Sequence, residues 1–498
     1  MPLTEFCYIP SVATDAFYTP QERAIHSKLV KLYTARNREK DGCDRKWRMA
    51  AINRVIKRRK ENLSKLLKQS LDDNITRELN PDAIKDRNII NLFCSELTRN
   101  LQIKPFERSD KIMIINVFFF EVLNSIIHNG FNYNGEHYIF YSCGAGMIRT
   151  KRFMAICERD YNRIEKTLMC GLTVNHINEM GGMNENKLLS YKSLMSSATD
   201  RIEDFDIDKC IVVEDFEMPV MAESDFIDWT DYSITRKTSE TVIAETDGWG
   251  MCCSKGWRSK IVRAPWVKGL VTFFDFQRYL REECTQDQWW VTDIYGKRWN
   301  IILDDIQCIL TKSMFKLYKF YPSWECYKAN FKAYGCYFGC CKIEDDYIPK
   351  ARINYQMLQT LTNITDDEID LLTNKSVKRI SDVCSSKETM MDILGITPYN
   401  TNMTPFQKAV KIYPALLSDT YAKDVIREVK NSLLKQYRSG RLDINGKYTF
   451  LLPDFYAACE YWFGHIETPT GLLADKEVFC WLFKYYDKLD CLRSPHLY

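Results

Sequence analysis

Three carboxylates at alternate positions, Asp204, Asp206 and Asp208 of EDFDIDKC (203–210), form the most chemically suggestive run in the chain. In an extended strand, side chains at i, i+2 and i+4 share one face. Three carboxylates on one face would offer Mg²⁺ the oxygen ligands a hard cation takes, and paired ions of this kind drive nucleotidyl transfer. The spacing argues against that use. Same-face side chains on a regular strand stand roughly 6.5–7 Å apart, too far to close round one metal pair. The sequence therefore predicts an acidic surface segment here and no metal ligand.

Several cations sit in a more informative setting. Lys268 follows Pro265-Trp266-Val267 and precedes Gly269 and the apolar LVTFF. A lysine entering a buried strand beside glycine either snorkels to solvent or meets an anion. Lys312 and Lys316 lie in TKSMFKLYK, where KSMFKLYKF has the period of an amphipathic helix. Arg263 is either a contact to a nucleic-acid backbone or a surface arginine. Asp247, Gly248 and Gly250 of ETDGWG read as a tight turn, which Asp-Gly favours. Cys336, Cys340 and Cys341, and the adjacent Cys252 and Cys253, lack the paired C-x₂-C spacing of a zinc site and read as buried thiols.

The elements that must position these residues belong to an ordinary globular chain. It has 498 residues, 45% hydrophobic and 27% charged, with 19 cysteines, enough for two to four domains or one large multi-lobed enzyme. No apolar run reaches the roughly 18 residues of a membrane span. IMIINVFFF (112–120) reads as a buried strand or helix segment, and the first ten residues lack signal-peptide character. The expectation is a cytoplasmic protein with reduced thiols and no membrane partner. Net charge is only +3, yet Arg45–Lys60 holds eight basic residues and no acid, while 200–247 holds fifteen acidic and four basic residues. Segment 249–268 returns five basic residues and no acid. Basic faces attract phosphates; a solvated helix face is the alternative for 45–60.

Periodicity places helices over most of 20–110, including NPDAIKDRNIINLFCSELTRNL, which opens on a cap and proline. Strand patterns begin near 111 and are densest in 207–345, where IDKCIVVEDF, TVIAE, SKIVRA, KGLVTFFDF, WWVTDIYG and RWNIILDDIQCILT follow one another without helical spacers. That density predicts a compact β-barrel. Helical patterns return after 350. The fold class is α+β: a helical region at 1–110, a mixed lead-in at 111–206, a barrel at 207–345 and a helical region at 346–498.

Read in order, several segments resemble the cell-type RNA-dependent RNA polymerases of RNA silencing, and more closely that family's phage and mobile-element relatives, the two-barrel RNA polymerases. They are YIFYSCGAGMIRTKRFMAI (138–156), LLSYKSLMSSATDRIEDFDIDKCIVVEDFE (188–217), the turn ETDGWGMC (245–252), VRAPWVKGLVTFFDF (262–276) and ILTKSMFKLYK (309–319). GLLADKEVF and DCLRSPHLY are similar to the lead into the family's second barrel. The resemblance implies a double-psi-type first barrel whose Lys268, Lys312, Lys316 and Arg263 contact nucleotide or RNA phosphates.

It also implies Mg²⁺ and nucleoside triphosphates for the full-length enzyme, and a single-stranded template, RNA in preference to DNA. The family's catalytic D-x-D-G-D occurs nowhere in the chain, and Ile207 stands in DFDID where that signature has glycine. The expectation is that these residues bind no metal by themselves. The second barrel would come in cis or from a partner subunit. The alternatives are a catalytically inactive nucleic-acid-binding derivative, and an unrelated enzyme using the DFDID carboxylates.

Overall fold

The computed structural model describes residues 5–39, 46–344, 348, 350–400, 403–474, 477–483 and 488–492. It is mixed helix and sheet, the α+β class. Residues 3–344 and 453–472 form one compact unit; 345–452 and 473–498 form another.

The first unit contains two seven-stranded sheets. In the first, Ile112–Asn116 lies between Arg152–Cys157, antiparallel to it, and Phe6–Ala13, parallel to it. Alternation splits this strand between two cores. Met113 and Ile115 join Leu29, Ile56, Leu63 and Leu67, while Ile112 and Ile114 join Leu97, Ile164 and Leu168 on the other face. IMIINVFFF is therefore a buried strand that then turns outward, with Phe118 and Phe120 exposed.

Helices α1 (Pro20–Glu39) and α2 (Lys46–Asp72) fall where their periodicity puts them. The helix expected across NPDAIKDRNIINLFCSELTRNL does not form as one element. Ile89–Phe93 is an edge strand paired with Phe6–Pro10, and only Glu96–Asn100 is α-helical. Its two adjacent isoleucines satisfy a neighbouring strand, a tertiary demand that local period does not show.

The second sheet runs in the order Asp200–Arg201, Gly339–Ile343, Lys260–Ala264, Val267–Phe273, Trp249–Cys252, Cys308–Thr311, Cys210–Val213. Parallel and antiparallel pairs alternate at its centre. Among the described residues, no hydrogen-bonded pairing joins its two end strands. An eleven-residue antiparallel hairpin, Glu217–Ile227 with Ile234–Ala244, forms a separate two-stranded sheet. Of its strands only TVIAE carried a sequence signal, because most of its side chains face solvent and no alternation marks them.

The second unit is helical around Val383, Leu394, Ile396, Val410 and Ile426, with one short strand pair, Lys350–Arg352 and Asp443–Lys447. Part of GLLADKEVF and most of DCLRSPHLY lie outside the described residues, as does Arg45. No described helix is long and apolar enough to cross a membrane.

Candidate functional site

Three segments distant in sequence meet on the second sheet. The first is the turn Asp247-Gly248, the second the hairpin Lys260–Ala264/Val267–Phe273, and the third the loop after Cys308–Thr311. Gly248 takes a left-handed φ of +70° and its carbonyl accepts from Leu270 N–H at 2.8 Å. A Cβ on Gly269 would stand 2.2 Å from the Gly248 carbonyl oxygen, so the lysine-glycine pair is what lets the two strands approach this closely. The hairpin itself turns in two residues, Pro265 and Trp266. Trp266 holds φ +63° while fully buried, its indole donating to Met169 O at 2.8 Å.

Asp215 ties the segments together. Its carboxylate accepts from the Ser313 N–H at 2.8 Å, from the Ser313 hydroxyl at 2.5 Å and from the Thr246 hydroxyl at 2.7 Å. Ser313 Oγ in turn accepts from Gly248 N–H at 2.7 Å. Sequence reasoning passed over Asp215 and Ser313; the available signal was an aspartate two residues after a buried strand, one of many acidic residues in that stretch.

The predicted cations divide clearly. Arg263 and Lys268 face each other in register across the hairpin, two like charges directly opposed. Lys268 is exposed and makes no ion pair among the described residues. Arg263 donates through Nη1 to Val262 O at 2.7 Å, but its buried Nε has no hydrogen-bond partner among the described residues. Burial lowers its pKa from the ordinary value. Lys316 is half-buried and donates to Ser313 O. Burial lowers its pKa, opposed by the carboxylates of Asp247 and Asp215 and reinforced by the charge of Lys268. Lys312 is different. Glu214 grips it with both oxygens, at 3.0 and 2.9 Å, which raises its pKa. Lys312–Met314 is a single 3-10 turn, not the start of an amphipathic helix.

The part of the sheet that carries Arg263, Lys268 and Lys316 is cationic. Arg263 and Lys268 are paired across the hairpin, Arg263 keeps an unused donor, and the charge of Lys268 acts on Lys316 together with the carboxylates of Asp247 and Asp215. A cleft of about 330 Å³ beside Glu214 contrasts with it. Glu214 and Glu467 line that cleft, and its only basic side chain is His465.

Asp204, Asp206 and Asp208 do not lie on an extended strand. Residues 203–204 form a turn and Ile207–Lys209 a 3-10 helix. Asp206 caps that helix by accepting from Asp208 N–H at 2.9 Å, and Asp208 pairs with Lys332 at 2.8 Å. These three residues do not fit a shared divalent ion. Among the described residues, no group of three or more His, Cys, Asp or Glu stands where it could hold a metal ion.

Every described cysteine is a free thiol. Cys336 is buried and donates to Thr167 O, while Cys340 and Cys341 lie on the strand Gly339–Ile343. Cys252, Cys308 and Cys210 stand in register on three adjacent strands, a row the linear spacing concealed. Hydrogen bonding between Cys252 and Cys308 and burial push the Cys252 thiol far up, which makes it inert as a nucleophile.

No family model matches the chain. It is 42% identical over 502 aligned positions to the protein named DNA-directed RNA polymerase YonO of Bacillus phage SPbeta. That alignment takes in 100% of this chain and 58% of the phage protein, so the chain spans somewhat more than half the length of that relative. The similarity runs along the whole of this chain.

Proposed function

We propose that this chain supplies the cationic side of a nucleotidyl-transfer centre in a template-directed RNA polymerase, with Lys268 as its principal phosphate contact. The observation that carries the reading is the Arg263–Lys268 pair: like charges opposed across a hairpin, with the arginine's buried Nε unbonded among the described residues. Like charges on residues directly opposed across a hairpin are unfavourable unless an anion offsets them. A triphosphate or nucleic-acid phosphate supplies that anion, and the same charges offset the negative charge that grows on the phosphate during transfer. Lys316 completes the cluster. Lys312, already neutralised by Glu214, contributes least.

The similar phage protein is named as DNA-directed, and we take a DNA template for this chain in preference to RNA. Nucleoside triphosphates are its substrates and the host cytoplasm its place of work. The Mg²⁺ such chemistry uses is assigned to carboxylates outside these 498 residues, in cis or on a partner subunit, so the chain alone should not incorporate nucleotides.

Equilibrium binding of labelled ATP tests the site directly. Lys268→Ala should weaken binding about tenfold or more, the worth of one charge-assisted contact. Lys312→Ala should change it less than about threefold. Equal affinity of Lys268→Ala and the wild type would refute the assignment.

A further inference from the structure

Helices α1 and α2 carry fourteen basic and four acidic residues, ten positive charges in a chain whose net charge is +3. They are not distributed evenly round α2. Ile56, Leu63 and Leu67 are buried in the core against Leu29, with Ile52 packed beside them. At 100° per residue the opposite face presents Trp47, Arg54, Lys57, Arg58, Lys65 and Lys68, with Ala50, Glu61 and, at the helix end, Asp72 among them. Trp47 and the five cations are exposed, and those cations make no ion pair among the described residues. From Arg54 to Lys68 the stripe extends about 21 Å along the helix.

The helix pair is firmly set. Glu22 accepts from Thr19 N–H at 2.9 Å at the start of α1, from Ser70 Oγ at 2.8 Å near the end of α2, and from the buried Arg77 at 2.9 Å. Lys60 and Arg36 lie over the Tyr33 ring, at 5.6 and 4.8 Å, which holds the two helices' own cations in place.

We infer that the outer face of α2 is a docking surface for a single-stranded nucleic-acid segment, separate from the Arg263–Lys268–Lys316 cluster. The identity of the anion rests on the polymerase reading above. Unpaired cations along one face follow a phosphate backbone. Trp47, 68% exposed at the head of the stripe with Arg48 over its ring at 5.2 Å, offers a base a stacking platform. A bilayer fits less well, because the apolar side of α2 is used by the protein core and little is left to enter lipid.

The test uses the intact 498-residue chain and a fluorescent thymidine oligonucleotide of about 20 residues, titrated across a salt series. The triple variant Arg54→Gln/Lys57→Gln/Arg58→Gln should flatten the slope of log K against log salt by about 2, since each lost contact to a single strand removes about 0.7. Lys268→Ala should flatten it by less than 1. Trp47→Ala should weaken binding about tenfold with the slope unchanged. An unchanged slope for the triple variant, with binding lost in Lys268→Ala, would overturn the helix surface and leave the polymerase reading standing. Oligonucleotide binding unaffected by the triple variant, with its binding to phosphatidylserine vesicles abolished, would overturn it in favour of a membrane. A Trp47→Ala variant indistinguishable from wild type would overturn the single-strand assignment.

Discussion

Asp215→Ala should loosen the meeting point of the three site segments without unfolding the sheet beneath it. The carboxylate receives three hydrogen bonds, from Ser313 N–H, Ser313 Oγ and Thr246 Oγ1, at 2.5–2.8 Å. Hydrogen bonds to a charged acceptor contribute about 1.5–3 kcal/mol each, and three from one half-buried group are neither additive nor wholly lost, because water replaces part of them. A local loss of about 3 kcal/mol is the working figure. That corresponds to roughly a hundredfold in an opening equilibrium, since about 1.4 kcal/mol is tenfold. Native-state hydrogen exchange reads this at the Ser313 and Gly248 amides, whose partners are Asp215 and Ser313 Oγ. Asp208→Ala is the control, since the Asp208–Lys332 pair is exposed on both sides and should matter by less than about 1 kcal/mol. A fall in protection of less than about threefold at both amides would show that Asp215 does not hold the segments together.

Other substitutions probe the frame. Gly269→Ala puts a methyl group 2.2 Å from the Gly248 carbonyl and should cost about 2–3 kcal/mol in urea unfolding, with Lys268 displaced; a loss below about 0.5 kcal/mol would mean the strands can part freely. Arg77→Met strands the buried Glu22 carboxylate and should cost about 3–5 kcal/mol, while Glu22→Gln/Arg77→Met recovers much of it; equal destabilisation of single and double variants would contradict the pairing. Burial raises the Glu96 carboxyl from 4.5 to about 7. Between those values the folded chain holds a proton the unfolded chain releases, so stability should fall by up to about 3 kcal/mol as pH rises from 4.5 to 7 and level off above. Glu96→Gln should flatten that part of the urea-midpoint profile, and an unchanged profile would refute it.

What the sequence revealed follows from the range of the forces involved. The central strands of the second sheet were legible because they are short apolar runs flanked by turn residues, and Lys268-Gly269 stood out because a charge enters such a run. The like-charge pair of Lys268 with Arg263 depends on cross-strand register, which a two-residue turn through a left-handed tryptophan fixes and no local pattern announces. Lys312 was the weaker candidate because of its helical period, and the fold brings Glu214, 98 positions away, onto its ammonium. The carboxylates of 203–210 were read as lying on an extended strand, whereas a turn and a capped 3-10 helix hold them. Ile89–Phe93 was misread because its partner strand lies at the beginning of the chain.

The most direct test of the central claim is RNA synthesis on a DNA template, with Mg²⁺ and labelled nucleotides, by this chain together with the carboxylate-bearing segment proposed for it, in cis or as a partner subunit. Lys268→Ala should lower kcat/KM on the order of a hundredfold, as removing one preorganised charge from a reacting phosphate does. Lys312→Ala, its charge already answered by Glu214, should stay within about threefold of wild type. Wild-type rates from Lys268→Ala, or a larger loss from Lys312→Ala, would contradict the account.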